Sequence, residues 1–195
     1  MVSQFISPDK VGLLGDLKFI FPEGTHAIGR LDNESEGLLI LTTNKKITRL
    51  MFLGQQPHER KYLVMVQNRV SPQTLEILRS GIPIRITGGA SYTAIPKDVQ
   101  VIEDPKILYA QATDVREQYP HTWLLITLSE GKFRQVRKMV LAVKHRCLRL
   151  IRVSIAGISI GDLLPGEVTE LEENEFYKLA GISLPRQDFH KFSGG

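Results

Sequence analysis

Two long apolar strands, "TWLLITLSE" (Thr122 to Glu130) and "CLRLIRVSIAG" (Cys147 to Gly157), flank a segment in which Val136, Met139, Val140 and Val143 recur at the i, i+3, i+4, i+7 spacing of one helical stripe. That spacing predicts a helix from about Phe133 to Lys144 with its apolar face against the core. A helix with such a face must be laid on another element, so the chain has to fold in layers of sheet and helix. At about 100° per residue, Arg134 and Lys138 fall opposite the stripe, toward solvent or phosphate. Arg137 falls at the edge of the stripe, where a planar guanidinium can reach into a cleft beside the sheet and bind a carboxylate bidentately.

The other segments carry their own signals. "GLLILTT" (Gly37 to Thr43) reads as a buried strand, and "NKKITRLMF" after it as a helix capped by Asn44. "KYLVMVQ" (Lys61 to Gln67) has the β-branched and aromatic content of a strand. In "SPQTLEILRSG", Ser71 is placed as N-cap, Pro72 at the first helical position and Gly81 past the end. "SYTAIPKDVQVI" is a strand interrupted at Pro96, hence an edge or a bend. "LLPGEVTEL" supplies a Pro-Gly turn, and "ENEFYKLAG" a last helix ended by Gly181. The loops 21–36, 54–60 and 114–121 and the tail "QDFHKFSGG" are the expected mobile parts. Together these elements describe an α+β fold with a mixed, mostly antiparallel sheet flanked by helices. No Gly-x-Gly-x-x-Gly or Walker loop is present to hold a nucleotide cofactor.

Composition narrows the function classes. At 195 residues and 42% hydrophobic the chain can bury a substantial core. Cys147 is its single cysteine, which rules out a disulfide within the chain and a cysteine-built zinc site. The five histidines have no metal-ligand spacing, so no metal is expected. No apolar run approaches the roughly 20 residues that span a bilayer, and "MVSQFISPDK" lacks the pattern of a signal peptide, so a cytoplasmic location is the expectation. The net charge of +4 is unevenly distributed. Gly131 to Arg152 holds eight Lys or Arg residues and no acid, leaving 17 basic against 21 acidic residues elsewhere. Positive charge concentrated in this way is either a footprint for a polyanion or a solvated basic face.

Near the other end of the chain, "AIGRLDNESEGLLILTTN" places Asp32 at the mouth of an apolar run. Taken alone, such an Asp is a turn or cap residue. The segments "GRLDNESEGLLILTTN", "KYLVMV" and "EGKFRQVRKM" followed by "LRLIRVSIAGI" nevertheless resemble, in order and spacing, the signatures of the RNA pseudouridine synthases. The resemblance is specifically to the ribosomal small subunit pseudouridine synthase A family and runs from about Ala27 to Leu171. It implies that fold, with a central active-site cleft. It also implies that Asp32 is the catalytic residue, that Tyr62 lies in the active site, that Arg137 pairs with Asp32, and that Leu150 packs beside the target base. Arg30, Lys61, Lys132, Arg134 and Lys138 are the expected contacts to RNA. The reaction breaks the bond from uracil N1 to the ribose, turns the base and joins its C5 to the same sugar carbon. It involves no redox change, so no cofactor is expected. An ionised Asp serves either as nucleophile or as the base that takes a sugar proton, and a neighbouring Arg would hold it charged. The target must also leave its stack, at a cost of a few kcal/mol that phosphate contacts offset.

The chain departs from the family in two places. Many relatives carry a small N-terminal RNA-binding domain of the S4 type and begin the catalytic domain with a strand containing Asn-Lys-Pro. The expectation here is one catalytic domain over 1–185 lacking that first strand and lacking the S4 domain, with a flexible tail over 186–195. "TNKKITRLM" replaces the usual turn with Lys45 and Lys46, adding charge beside the site. The stretch from Arg116 to Met139 is most similar to the branch that modifies one uridine of large-subunit ribosomal RNA. The expected partner is therefore ribosomal RNA, met by a monomer. A synthase for small-subunit RNA, a non-catalytic RNA-binding relative and a glycosylase are the alternatives.

Overall fold

Leu63, Val64, Met65 and Val66 follow one another without a polar residue, and a strand can carry such a run only where both of its faces are covered. The computed structural model describes residues 2–53, 58–114 and 119–182. Within it the strands in chain order are β1 (His26–Ile28), β2 (Glu36–Gly37), β3 (Ile40–Thr42), β4 (Arg60–Gln67), β5 (Ile82–Arg85), β6 (Ser91–Ala94), β7 (Asp98–Ile102), β8 (His121–Leu128), β9 (Cys147–Ile155) and β10 (Ile158–Ser159). The helices are α1 (Lys45–Leu53), α2 (Pro72–Ser80), α3 (Gln135–Ala142) and α4 (Glu173–Leu179). The main sheet runs β10-β9-β4-β8-β7 with antiparallel neighbours, and β2 pairs in parallel with β9.

Period-two alternation along β4 builds both layers of the core. Leu63 and Met65 enter a cluster with Trp123, Ile151, Ile47, Met51 and Phe176, so α1 and α4 cover that face. Val64 and Val66 enter a second cluster with Leu124, Ile126, Val136, Met139 and Val140, so α3 covers the other, together with α2 and the β5–β6 pair. All four β4 residues are fully buried, and each such side chain contributes about 1.5–3 kcal/mol relative to exposure. The α+β class and the mostly antiparallel sheet are as the sequence predicts.

Local signals were realised where the chemistry was local. Ser71 Oγ accepts from the Thr74 N–H at 3.1 Å, and Asn44 Oδ1 accepts from Lys46 N–H at 2.9 Å, so both caps form. Two expectations are corrected, and a third holds. The segment 37–43 is two strands, because Gly37 has φ +105° and sends the chain from the main sheet to the small β1–β3 pair. The run across Pro96 is interrupted at the proline as expected, giving two strands in different sheets, with β7 at the edge of the main one. α3 starts at Gln135 instead of Phe133, since Arg134 sits in the left-handed region at φ 53°. The expected tail 186–195 and parts of the expected mobile loops, 54–57 and 115–118, lie outside the described residues.

Candidate active site

The acidic turn 32–36 is fastened to the basic segment residue by residue. At its far end, Gly37 lies opposite Arg152 in the β2–β9 pairing. Leu38 N–H donates to the Arg152 carbonyl at 2.8 Å, and Arg152 Nε donates back to the Leu38 carbonyl at 2.9 Å. Glu36 receives a fork from Arg149, Nε at 2.7 Å and Nη2 at 2.9 Å, while Arg149 Nη1 donates to the carbonyls of Gln111 at 2.8 Å and Thr113 at 2.9 Å. Glu34 receives Arg134 Nη2 at 2.5 Å, and its carbonyl receives Arg137. Charge-assisted bonds of this kind are roughly twice as strong as neutral ones, and the Arg149 fork also fixes orientation. The turn closes where Ser35 N–H reaches the Asp32 carbonyl at 2.8 Å, and Leu31 N–H is held by Ser3 Oγ at 2.9 Å.

These fastenings leave Asp32 on the wall of a cleft of about 300 Å³. Among the described residues Asp32 is the sole carboxylate lining it, together with Arg30, Arg60, Lys132, Arg134 and Arg152. Tyr62, Leu128, Leu150 and Val136 supply its flatter, apolar surface. The sheet register explains the grouping: Tyr62 lies opposite Arg152 across β4 and β9, and Leu150, two residues before Arg152, shares its face. Arg152 is buried at 5% exposure. Its Nη2 is enclosed without a hydrogen-bond partner among the described residues. Burial pushes the Arg152 pKa down, and the nearby Tyr62 hydroxyl and Asp32 carboxylate act against that. Arginine starts so high that it stays charged at neutral pH. The rim between β8 and α3 is set by Gln135, which is buried at 3%, donates to Glu130 Oε1 at 2.8 Å and accepts from Lys132 N–H at 2.8 Å. Glu130 in turn accepts from the Tyr92 hydroxyl.

Of the residues singled out in the sequence, Asp32, Tyr62, Leu150, Arg30, Lys132 and Arg134 line this cleft together. Lys61 is exposed one residue before Tyr62, and Lys138 Nζ is bound to the Arg85 carbonyl at 2.7 Å, so neither reaches it. The pairing of Arg137 with Asp32 is corrected. Arg137 binds the Glu34 carbonyl, with Nη1 3.9 Å from the Glu34 carboxylate. The buried arginine that shares the cleft with Asp32 is Arg152 on β9, while Arg137 on α3 does not line it. The signal of Arg152 was present in the sequence as a cation set directly between Ile151 and Val153, both buried. Glu34, Arg60 and Gln135 carried no such signal. The basic segment is also no uniform solvated face, since Arg137, Arg149 and Arg152 are turned inward onto residues 30–38, while Arg134 meets Glu34 at the surface.

The Cys147 thiol, half-buried, is pushed up to about 11 by burial, so it is no ready nucleophile. Among the described residues no cluster of His, Cys, Asp and Glu is arranged to hold a metal ion, and no helix is long and apolar enough to cross a membrane.

Residues 21–142 match the family model described as RNA pseudouridylate synthase. A ribosomal large subunit pseudouridine synthase E from Vibrio parahaemolyticus is 34% identical over 172 residues, covering 88% of this chain and 69% of that protein. The ribosomal small subunit pseudouridine synthase A of Escherichia coli is 28% identical over 151 residues, covering 77% of this chain and 57% of that protein. A crystal structure of a pseudouridylate synthase shares the fold with a TM-score of 0.68 at 24% identity, covering 91% of this chain and 68% of that one.

Proposed function

The chain belongs to the RNA pseudouridylate synthase family, and on that premise we propose that it converts one specific uridine of large-subunit ribosomal RNA to pseudouridine. The observation that carries the chemistry is Asp32, the single carboxylate among the described residues of a cleft lined mainly by cations and apolar groups. A hydrolase of the glycosidase kind needs two carboxylates about 5–10 Å apart, and this cleft offers one. An isomerisation in which the same base leaves and rejoins the sugar needs one. The better match to a relative named for the large subunit, 34% against 28% for one named for the small subunit, supports the choice of RNA.

In this reading the flipped uridine enters the cleft with its base against Tyr62 and Leu150. Asp32 acts at the sugar or takes its proton while the glycosidic bond breaks. The base turns, C5 joins the sugar carbon, the C5 proton leaves and N1 gains one. Arg152, fixed through Leu38, orients the Asp32 carboxylate from the wall of the same cleft. Arg30, Arg60, Lys132 and Arg134 meet the flanking phosphates, which supplies affinity without sequence information. The enzyme works as a monomer in the cytoplasm, without metal or cofactor.

The test is release of tritium from 23S and 16S transcripts labelled at uridine C5, with sites mapped by carbodiimide primer extension. Release from the 23S transcript at one position, lost in Asp32→Asn, is the expected result. Release confined to 16S RNA would reassign the substrate. RNA binding without release from either would favour a non-catalytic binding protein.

A further inference from the structure

Beside the cleft lies a second, shallow groove of about 640 Å³ that the chemistry above does not use, lined by Gly24, His26, Lys45, Thr48, Arg49 and Phe52. Lys45, Thr48, Arg49 and Phe52 are spaced i, i+3, i+4, i+7, so α1 presents them on one face while Ile47 and Met51 on the other are buried in the core. Lys45 and Arg49 are exposed, no carboxylate lines the groove, and neither cation is ion-paired among the described residues. Phe52 is 57% exposed, while Ile47 and Met51 of the same helix are buried.

Phe52 also lines the catalytic cleft, so the two depressions share a wall. Its ring tip lies close over Gly29, where an added Cβ would sit 3.9 Å from Cζ, three residues before Asp32. A polyanion leaving the cleft past Arg30 therefore meets, in order, an aromatic face, a guanidinium and an ammonium. An exposed aromatic followed by unpaired cations is the arrangement that holds single-stranded nucleic acid, the base stacking on the ring and the phosphates on the charges.

We propose that the α1 groove binds the single-stranded RNA segment adjoining the target uridine, with one flanking base stacked on Phe52 and successive phosphates on Arg49 and Lys45. The inference rests on the RNA substrate proposed above. It assigns the lysine that departs from the family pattern at the start of α1 to substrate binding instead of solubility.

The experiment measures filter binding of a 23S transcript, and of a fluorescein-labelled single-stranded 12-mer, to the full chain across 50–300 mM salt. The proteins are wild type, Phe52→Ala, Phe52→Trp and the Lys45→Ala/Arg49→Ala double variant. Removing one stacked base is expected to weaken Phe52→Ala by roughly tenfold, with Phe52→Trp close to wild type. Removing two phosphate contacts should make the slope of log K against log salt shallower by roughly 1.4. Unchanged affinity and slope for both the Ala variants would overturn the proposal, as would a Phe52→Trp loss equal to that of Phe52→Ala. Because binding is read without turnover, a wild-type protein that forms no pseudouridine would sink the catalytic reading while leaving this result decisive.

Discussion

An added Cβ on Gly37 would fall 2.4 Å from the Arg152 carbonyl oxygen, and the residue already lies at φ +105°. The acidic turn reaches β9 only because this position has no side chain. That single close approach carries two consequences: it brings Leu38 into hydrogen-bond contact with Arg152, and it aims the chain so that Asp32 and Arg152 meet in one cleft.

Gly37→Ala is expected to cost about 3 kcal/mol or more, since it combines positive-φ strain with a backbone clash that no rotamer change relieves. For a chain of this size that is a fall in Tm of roughly 6–12 °C, read by calorimetry or dye-based melting. A Tm within a degree or two of wild type would show that β2 can leave β9 freely.

Arg152 and Arg137 are separated by a paired comparison. Arg152→Met removes the buried cation and leaves the Leu38 carbonyl and Asp32 without it, so stability should fall by about 2–4 kcal/mol. Turnover on ribosomal RNA should fall by roughly a hundredfold, as for the loss of a preorganised charge beside a reacting group. Arg137→Ala, whose guanidinium sits on Glu34, should lower turnover by less than about tenfold. The reverse ranking in single-turnover assays would restore the pairing the sequence implied.

Asp32→Asn keeps the shape of the turn, since the contact that closes it uses the Asp32 backbone carbonyl. Pseudouridine formation should drop about a thousandfold or more while RNA affinity stays within a few-fold of wild type. Tritium release and filter binding on the same transcript read the two quantities side by side.

Cys147 gives a pH prediction. Burial raises its pKa from 9.0 to about 11, so the folded state holds the thiol proton more tightly than the unfolded chain does. Between those values the unfolded chain loses that proton and the folded one keeps it, so this contribution to stability is full below pH 9 and disappears toward pH 11. Denaturant melts of wild type and Cys147→Ala should therefore converge or cross as pH rises through that window. Alkylation of the native thiol by iodoacetamide at pH 8 should be slow against a free cysteine, because the thiolate is the reactive form.

Much of the fold was legible in the sequence. The continuous apolar run in β4, the helical stripe of α3 and the cap of α2 are set by neighbours a few residues apart, and each formed where expected. So was the membership of the cleft for Asp32, Tyr62 and Leu150. The strand break at Gly37 was harder to read than the one at Pro96, because apolar content alone does not say which sheet a strand joins.

What the sequence determined by itself is the set of local conformations, and with them the presence of one carboxylate at the head of an apolar run and a surplus of arginine far along the chain. What only the tertiary structure decided is which arginine meets which acid. Periodicity places Arg137 on an edge of α3 but says nothing of what lies across from it, and Arg152 is 120 positions from Asp32. Their meeting depends on β2 pairing in parallel with β9 at the register Gly37 to Arg152, a contact between distant segments whose geometry is fixed by backbone hydrogen bonds and the missing side chain of a glycine.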